Sequence, residues 1–169
     1  DNFEFTTEKQ SLGAIYIVRD PRNVITSMCN HYSFNLEYAF EKMSDKNASL
    51  SEKASNGDCS NFTFLGSWSD HYQSWKNNNK FKILLIKYED LRDSKEIIFK
   101  KVIDFIEELK GNKENEFDEN KFFNSINSTN FVNLKNKEKN EGFEESKSNN
   151  LGKKINFFNI AFKNDWKKL

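Results

Sequence analysis

A chain of 169 residues is long enough for one domain with a core of its own and short for two. Its 26 Lys and Arg balance 26 Asp and Glu, which excludes a nucleic-acid binder that works by bulk positive charge, so any anion site has to be local. No apolar run approaches the roughly 20 residues that span a bilayer, and the start lacks a basic-then-apolar leader pattern, so neither a membrane nor a nucleic-acid partner is expected.

Only 36% of the residues are hydrophobic, but 15% are aromatic and 17 of these are Phe, so a core can still bury much area per residue. Cys29 and Cys59 lack metal-ligand spacing and read as reduced thiols of a cytoplasmic protein, with no metal expected. Asn47, Asn61 and Asn127 open N-x-S/T triplets that this composition produces by chance. The Lys, Asn and Phe bias fits an AT-rich genome, and a bacterial source is the expectation. Asp1 stands where a Met would start a chain, so a piece of a longer protein is expected.

In chain order, residues 14–18 (AIYIV) form a β-branched and aromatic run of the kind buried on both faces of a parallel sheet. Arg19 follows; Asp20 can cap a helix and Pro21 can open it, with Val24, Met28 and Tyr32 at helical spacing. Residues 34–64 are polar, with an amphipathic turn through Leu36, Phe40 and Met43 and a second half that reads as a mobile loop or lid. A helix is expected over about 67–76, carrying Trp68, His71, Tyr72 and Trp75. Residues 81–87 (FKILLIK) give a second buried strand, ending at Tyr88, Glu89 and Asp90. Ser94 can cap the next helix, whose Ile98, Val102, Phe105 and Leu109 make an apolar stripe stopped at Gly111. A short helix around 119–126 precedes one that Thr129 caps; residues 135–154 read as loop, and the Phe-rich 155–162 with Trp166 dock back.

Strands separated by helices imply an α/β sheet with parallel order, whose ligands bind at the carboxyl ends of the strands. Arg19 and Tyr88 both sit at such ends. Arg19 has two readings. It offers a planar fork of donors beside a helix N-terminus, as a phosphate site needs, with the Ser27 hydroxyl eight residues on. Equally, it can pair with Asp20 or Glu89 and merely close the strand end. Phe131 is a flat face for a purine or simply core, and His71 reads as a packed, hydrogen-bonded histidine rather than a base.

The segment IYIVRDPRNVITS resembles the 3′-phosphate-binding segment of sulfotransferases that use 3′-phosphoadenosine 5′-phosphosulfate (PAPS), with Arg19 and Ser27 at the matching positions. Four more segments match in order. WSDHYQSW is similar to the family's W-x-D-H-x-x-x-W helix, and LLIKYEDL to its strand ending in Y-E-D. STNFVNL is similar to its T-x-F turn, and FFNIAFKNDW to F-F-R-K-G-x-x-G-D-W. The resemblance implies one partial domain over residues 1–169, in the three-layer fold of P-loop nucleotide triphosphatases with a parallel sheet. It also implies a cofactor site in which Arg19 and Ser27 face the 3′-phosphate while Tyr88, Thr129 and Phe131 face the adenine.

Two departures stand out. The cationic R-K-G triplet falls on Asn159, Ile160 and Ala161, leaving backbone N–H groups or Lys153, Lys154 or Lys163 to compensate. The phosphosulfate loop, of K-x-G-x-x-S/T type after the first strand, occurs nowhere, and neither does an upstream His to act as base. The expectation is therefore a sulfotransferase fragment without catalytic residues, inactive alone, from an enzyme that moves a sulfuryl group from PAPS to a hydroxyl or amine of a small-molecule or carbohydrate acceptor. The product would be 3′-phosphoadenosine 5′-phosphate (PAP). The alternatives are a non-catalytic nucleotide-binding or interaction module of the same fold, or a kinase-like enzyme using a nucleoside triphosphate. The T-x-F turn and the W-x-D-H helix favour the sulfotransferase over the kinase.

Overall fold

The computed structural model describes residues 8–53, 59–111, 117–144, 146, 152 and 156–159. Two strands organise it. β1 (Gly13–Val18) and β4 (Lys82–Lys87) pair in parallel, with Gly13 opposite Lys82 and Val18 opposite Lys87. This register sets the carboxyl ends level, so Arg19 and Tyr88, the next residue of each segment, emerge side by side. The α/β class with a parallel sheet is as the sequence implied.

Helices follow where local chemistry starts and stops them. The Asp20 side chain accepts from Arg22 N and Pro21 takes the first position, opening α1 (Pro21–Tyr32). Ser67 caps α3 (Trp68–Lys76) by accepting from Asp70 N, while its own hydroxyl donates to the Asp70 carboxylate. α4 (Tyr88–Asp93) leads into α5 (Lys95–Lys110), which ends at Gly111 with φ 70°, a left-handed conformation suited to glycine. α6 (Glu119–Ser128) and α7 (Phe131–Glu141) complete the described helices.

α3 lies against one face of β1, where the Tyr16 ring stacks on Trp75 and the Tyr16 hydroxyl meets His71 Nδ1 at 3.1 Å. Burial, reinforced by nearby Tyr72, raises the Tyr16 pKa and keeps that hydroxyl protonated. Leu109 of α5 reaches the other face at Gly13, where a Cβ would lie 2.7 Å from Leu109 Cδ1 and 2.9 Å from the Lys82 carbonyl oxygen. Gly13→Ala is therefore expected to cost about 1–3 kcal/mol by overpacking, read as a lower midpoint in chemical denaturation; an unchanged midpoint would show that the helix yields freely.

Several sequence expectations change. β1 is not buried on both faces: Ile15 is 41% and Ile17 52% exposed. Among the described residues its sheet has two strands, too narrow to carry the helices that would cover that face. Residues 34–64 are not mainly loop. They hold α2 (Leu36–Ser44), capped by the Asn35 side chain, and an antiparallel pair, β2 (Ser49–Lys53) with β3 (Cys59–Phe64), joined by residues outside the description. The residue that α2 buries is Ala39, while Leu36 and Phe40 face outward. Ser94 makes no side-chain cap bond. Asn130 rather than Thr129 caps α7, and α7 continues through residues 135–141, which read as loop.

Candidate functional site at the strand ends

The ends of β1 and β4 carry a charge arrangement that the sequence left ambiguous. Asp20 is taken by Arg22, through Arg22 Nε at 2.9 Å and Nη2 at 2.6 Å. That hydrogen bond, more than any other influence, lowers the Asp20 pKa against the opposing effect of burial. Glu89 accepts from Asp20 N at 3.2 Å and so ties the two strand ends together. Neither carboxylate therefore pairs with Arg19. The Arg19 guanidinium lies instead over the Tyr88 ring, its Cζ 4.5 Å from the centroid, and Arg19 Nε is buried with no hydrogen-bond partner among the described residues. A buried donor left unmade costs free energy unless something fills it.

The helix N-terminus beside Arg19 contributes less than expected. Pro21 has no N–H, Arg22 N is held by Asp20 Oδ1, and Asn23 N and Val24 N both reach the Asp20 carbonyl oxygen. The first turn of α1 offers an anion no free amide, and the carboxylate of its Asp20 cap is ion-paired with Arg22. Of the groups at this strand end, Arg19 Nε is the donor left without a partner among the described residues.

Thr129 closes α6 and Phe131 opens α7. The Thr129 hydroxyl donates to Ser125 O at 2.8 Å, and Lys95 Nζ donates to the carbonyls of Ile126 (3.2 Å) and Thr129 (3.0 Å). Lys95 thus supplies a cation and hydrogen bonds to the carboxyl end of α6, where the helix dipole favours both. The Phe131 ring meets Phe158 edge-on at 6.3 Å, Phe158 meets Phe157, and Phe157 meets His31 near the end of α1. The structure therefore places Arg19 and Tyr88 in direct contact and joins Phe131 to the α1 helix that bears Ser27 through a chain of rings.

Sequence reasoning missed Lys95 and Glu138. Glu138 is 4% exposed, and its carboxylate accepts from Phe157 N at 2.6 Å, Phe158 N at 3.0 Å and the Ser146 hydroxyl. The signal was an acid in register with Phe131 and Leu134, on the inner face of α7. Asn159 lies in the 3-10 turn Phe157–Asn159; Ile160, Ala161, Lys153, Lys154, Lys163 and Trp166 lie outside the described residues. A cavity of about 830 Å³ opens between α5 and α6, lined by Phe99, Ile103, Phe117, Phe122 and Ile126, and shares only Thr129 with the candidate set. Among the described residues no helix is long and apolar enough to cross a membrane, and no three His, Cys, Asp or Glu cluster as a metal site would.

Comparison with known proteins finds the sulfotransferase domain family matching residues 4–168. Among solved structures, a mouse sulfotransferase, SULT7A1, complexed with PAP, is 26% identical with a TM-score of 0.48. That match covers 75% of this chain and 41% of the mouse chain, so the chain spans less than half the length of this relative. Among curated proteins there is no match.

Proposed function

The chain belongs to the sulfotransferase domain family, and we propose that it forms the 3′-phosphate and adenine half of a PAPS-binding site. The observation that carries this is the buried, unpartnered Nε of Arg19 at the carboxyl end of a parallel strand, beside Tyr88. An arginine whose nearby carboxylates are both engaged elsewhere suits a phosphate, which a planar fork meets with two parallel charge-assisted hydrogen bonds.

Arg19 and Ser27 would hold the 3′-phosphate, while Tyr88 and Phe131 border the adenine. Thr129 has given its one hydroxyl proton to Ser125, and its oxygen accepts from Lys95 Nζ at 3.4 Å, so towards a ligand it presents one remaining lone pair, which suits the exocyclic amine of adenine. When bound, PAPS supplies the sulfuryl group that a hydroxyl or amine acceptor receives. The acceptor is a small molecule or carbohydrate, and PAP is released. In-line transfer needs donors on the leaving phosphate and a base on the acceptor. The sequence has no K-x-G-x-x-S/T loop for the first role, so residues beyond these 169 would supply it and the chain alone is inactive.

A thermal-shift titration tests this. PAP is expected to raise the melting temperature and ATP is not; at 100-fold the dissociation constant, stabilisation reaches about 2.7 kcal/mol. No response to either in a folded sample would overturn the reading. Turnover of PAPS by the chain alone would refute the role given to the missing loop. A second reading, a non-catalytic nucleotide-binding or interaction module, draws on Asn159 and Ile160 standing where the family has its Arg and Lys.

A further inference from the structure

We propose that Glu138 is a positioning residue of the nucleotide site: its carboxylate sets the spacing between the adenine wall on α7 and the 3′-phosphate contacts on α1. This rests on the PAPS-site reading above. A carboxylate 4% exposed is rare unless hydrogen bonds compensate it, and here two consecutive backbone N–H groups, of Phe157 and Phe158, do so. Both amides point at one side chain, so the backbone there is fixed in position and direction.

The two rings this fixes point to different parts of the site. Phe158 packs on Phe131, at the first turn of the same helix α7. Phe157 packs on His31, which lies four residues after Ser27 and therefore on the same face of α1. Phe143 closes the cluster, 4.9 Å from Phe157 and 5.1 Å from Phe158. Glu138 is the polar bolt under an otherwise apolar joint. Ring packing alone lets the rings slide; the paired hydrogen bonds fix their register.

A ligand that touches only the adenine wall has no stake in that spacing, whereas one held at both adenine and 3′-phosphate depends on it. The test compares PAP with adenosine 5′-monophosphate, which lacks the 3′-phosphate, by calorimetry on the wild type and Glu138→Gln. Gln keeps the shape but turns an N–H₂ towards one of the two amides. PAP affinity is expected to fall roughly tenfold, as loss of one charge-assisted hydrogen bond implies, with the monophosphate changed less than about twofold. Equal loss of both ligands, or loss of neither, overturns the proposal.

Amide proton resonances of Phe157 and Phe158 provide a readout without nucleotide: both are expected to move upfield in the variant, and unmoved resonances overturn the clamp. If Glu138→Gln fails to fold, Glu138→Asp keeps the charge and shortens the reach, and the same selective loss of PAP is expected. A wild-type chain that binds no PAP sinks the site reading itself, and the amide shifts then decide the clamp separately.

Discussion

Replacing Arg19 by alanine is expected to weaken PAP binding by about a hundredfold or more, the largest loss from any single side chain in the proposed site. Hydrogen bonds to charged groups contribute about 1.5–3 kcal/mol each, a phosphate takes two from one guanidinium, and about 1.4 kcal/mol is tenfold. Little else at the strand ends is placed to take over. The amides of the first turn of α1 are occupied, and the Arg22 fork is committed to Asp20. Arg19→Lys keeps the charge but loses the planar fork and the lie over Tyr88, so roughly a tenfold loss is expected. Adenosine 5′-monophosphate is the control, since without a 3′-phosphate it loses little to either change. Calorimetry that finds PAP bound within about threefold of wild type by Arg19→Ala would remove Arg19 from the site.

How far the sequence revealed this depended on whether the determining chemistry was local. β1 and β4 were legible because short β-branched runs flanked by helix signals have few other readings, and Asp20-Pro21 wrote the start of α1 directly. The closeness of Arg19 and Tyr88 followed once both were placed at carboxyl ends of parallel strands. The ion pairing did not, because Arg19 and Arg22 both stand close to Asp20 in sequence and only the fold fixed its choice of Arg22. The β2–β3 pair was hidden because β2 is polar apart from Leu50 and the alternation in β3 is confined to Asn61, Phe62, Thr63 and Phe64, too short to mark a strand by itself. Thr129 and Asn130 are adjacent capping types, and sequence alone does not order them. Glu138 was unreadable for a different reason. Its register with Phe131 and Leu134 marks it as inward-facing, but its partners Phe157 and Phe158 lie some twenty residues on, so the local pattern does not show what would compensate a buried acid there.

Trp75→Ala is expected to be among the most destabilising single changes in the described structure, at about 2–4 kcal/mol. Full burial of a tryptophan sets the upper range of about 3–5 kcal/mol for truncation to alanine, and Trp75 is half-buried. Its indole stacks on Tyr16 with centroids 5.4 Å apart and planes within 10°, an arrangement that adds about 0.5–1.5 kcal/mol beyond the area covered. Losing it uncovers the α3-facing side of β1 and loosens the 3.1 Å contact between the Tyr16 hydroxyl and His71. At roughly 2–4 °C per kcal/mol for a domain of this size, the melting temperature should fall by about 5–15 °C. Trp75→Phe keeps a stacking face and should lose less than half as much. His71→Ala removes one hydrogen bond and two tilted ring contacts, with Tyr16 and Trp75, costing about 1 kcal/mol, and should leave PAP affinity unchanged if the helix serves packing alone. A large loss of affinity from His71→Ala at a nearly constant melting temperature would instead bring His71 into the nucleotide or acceptor site.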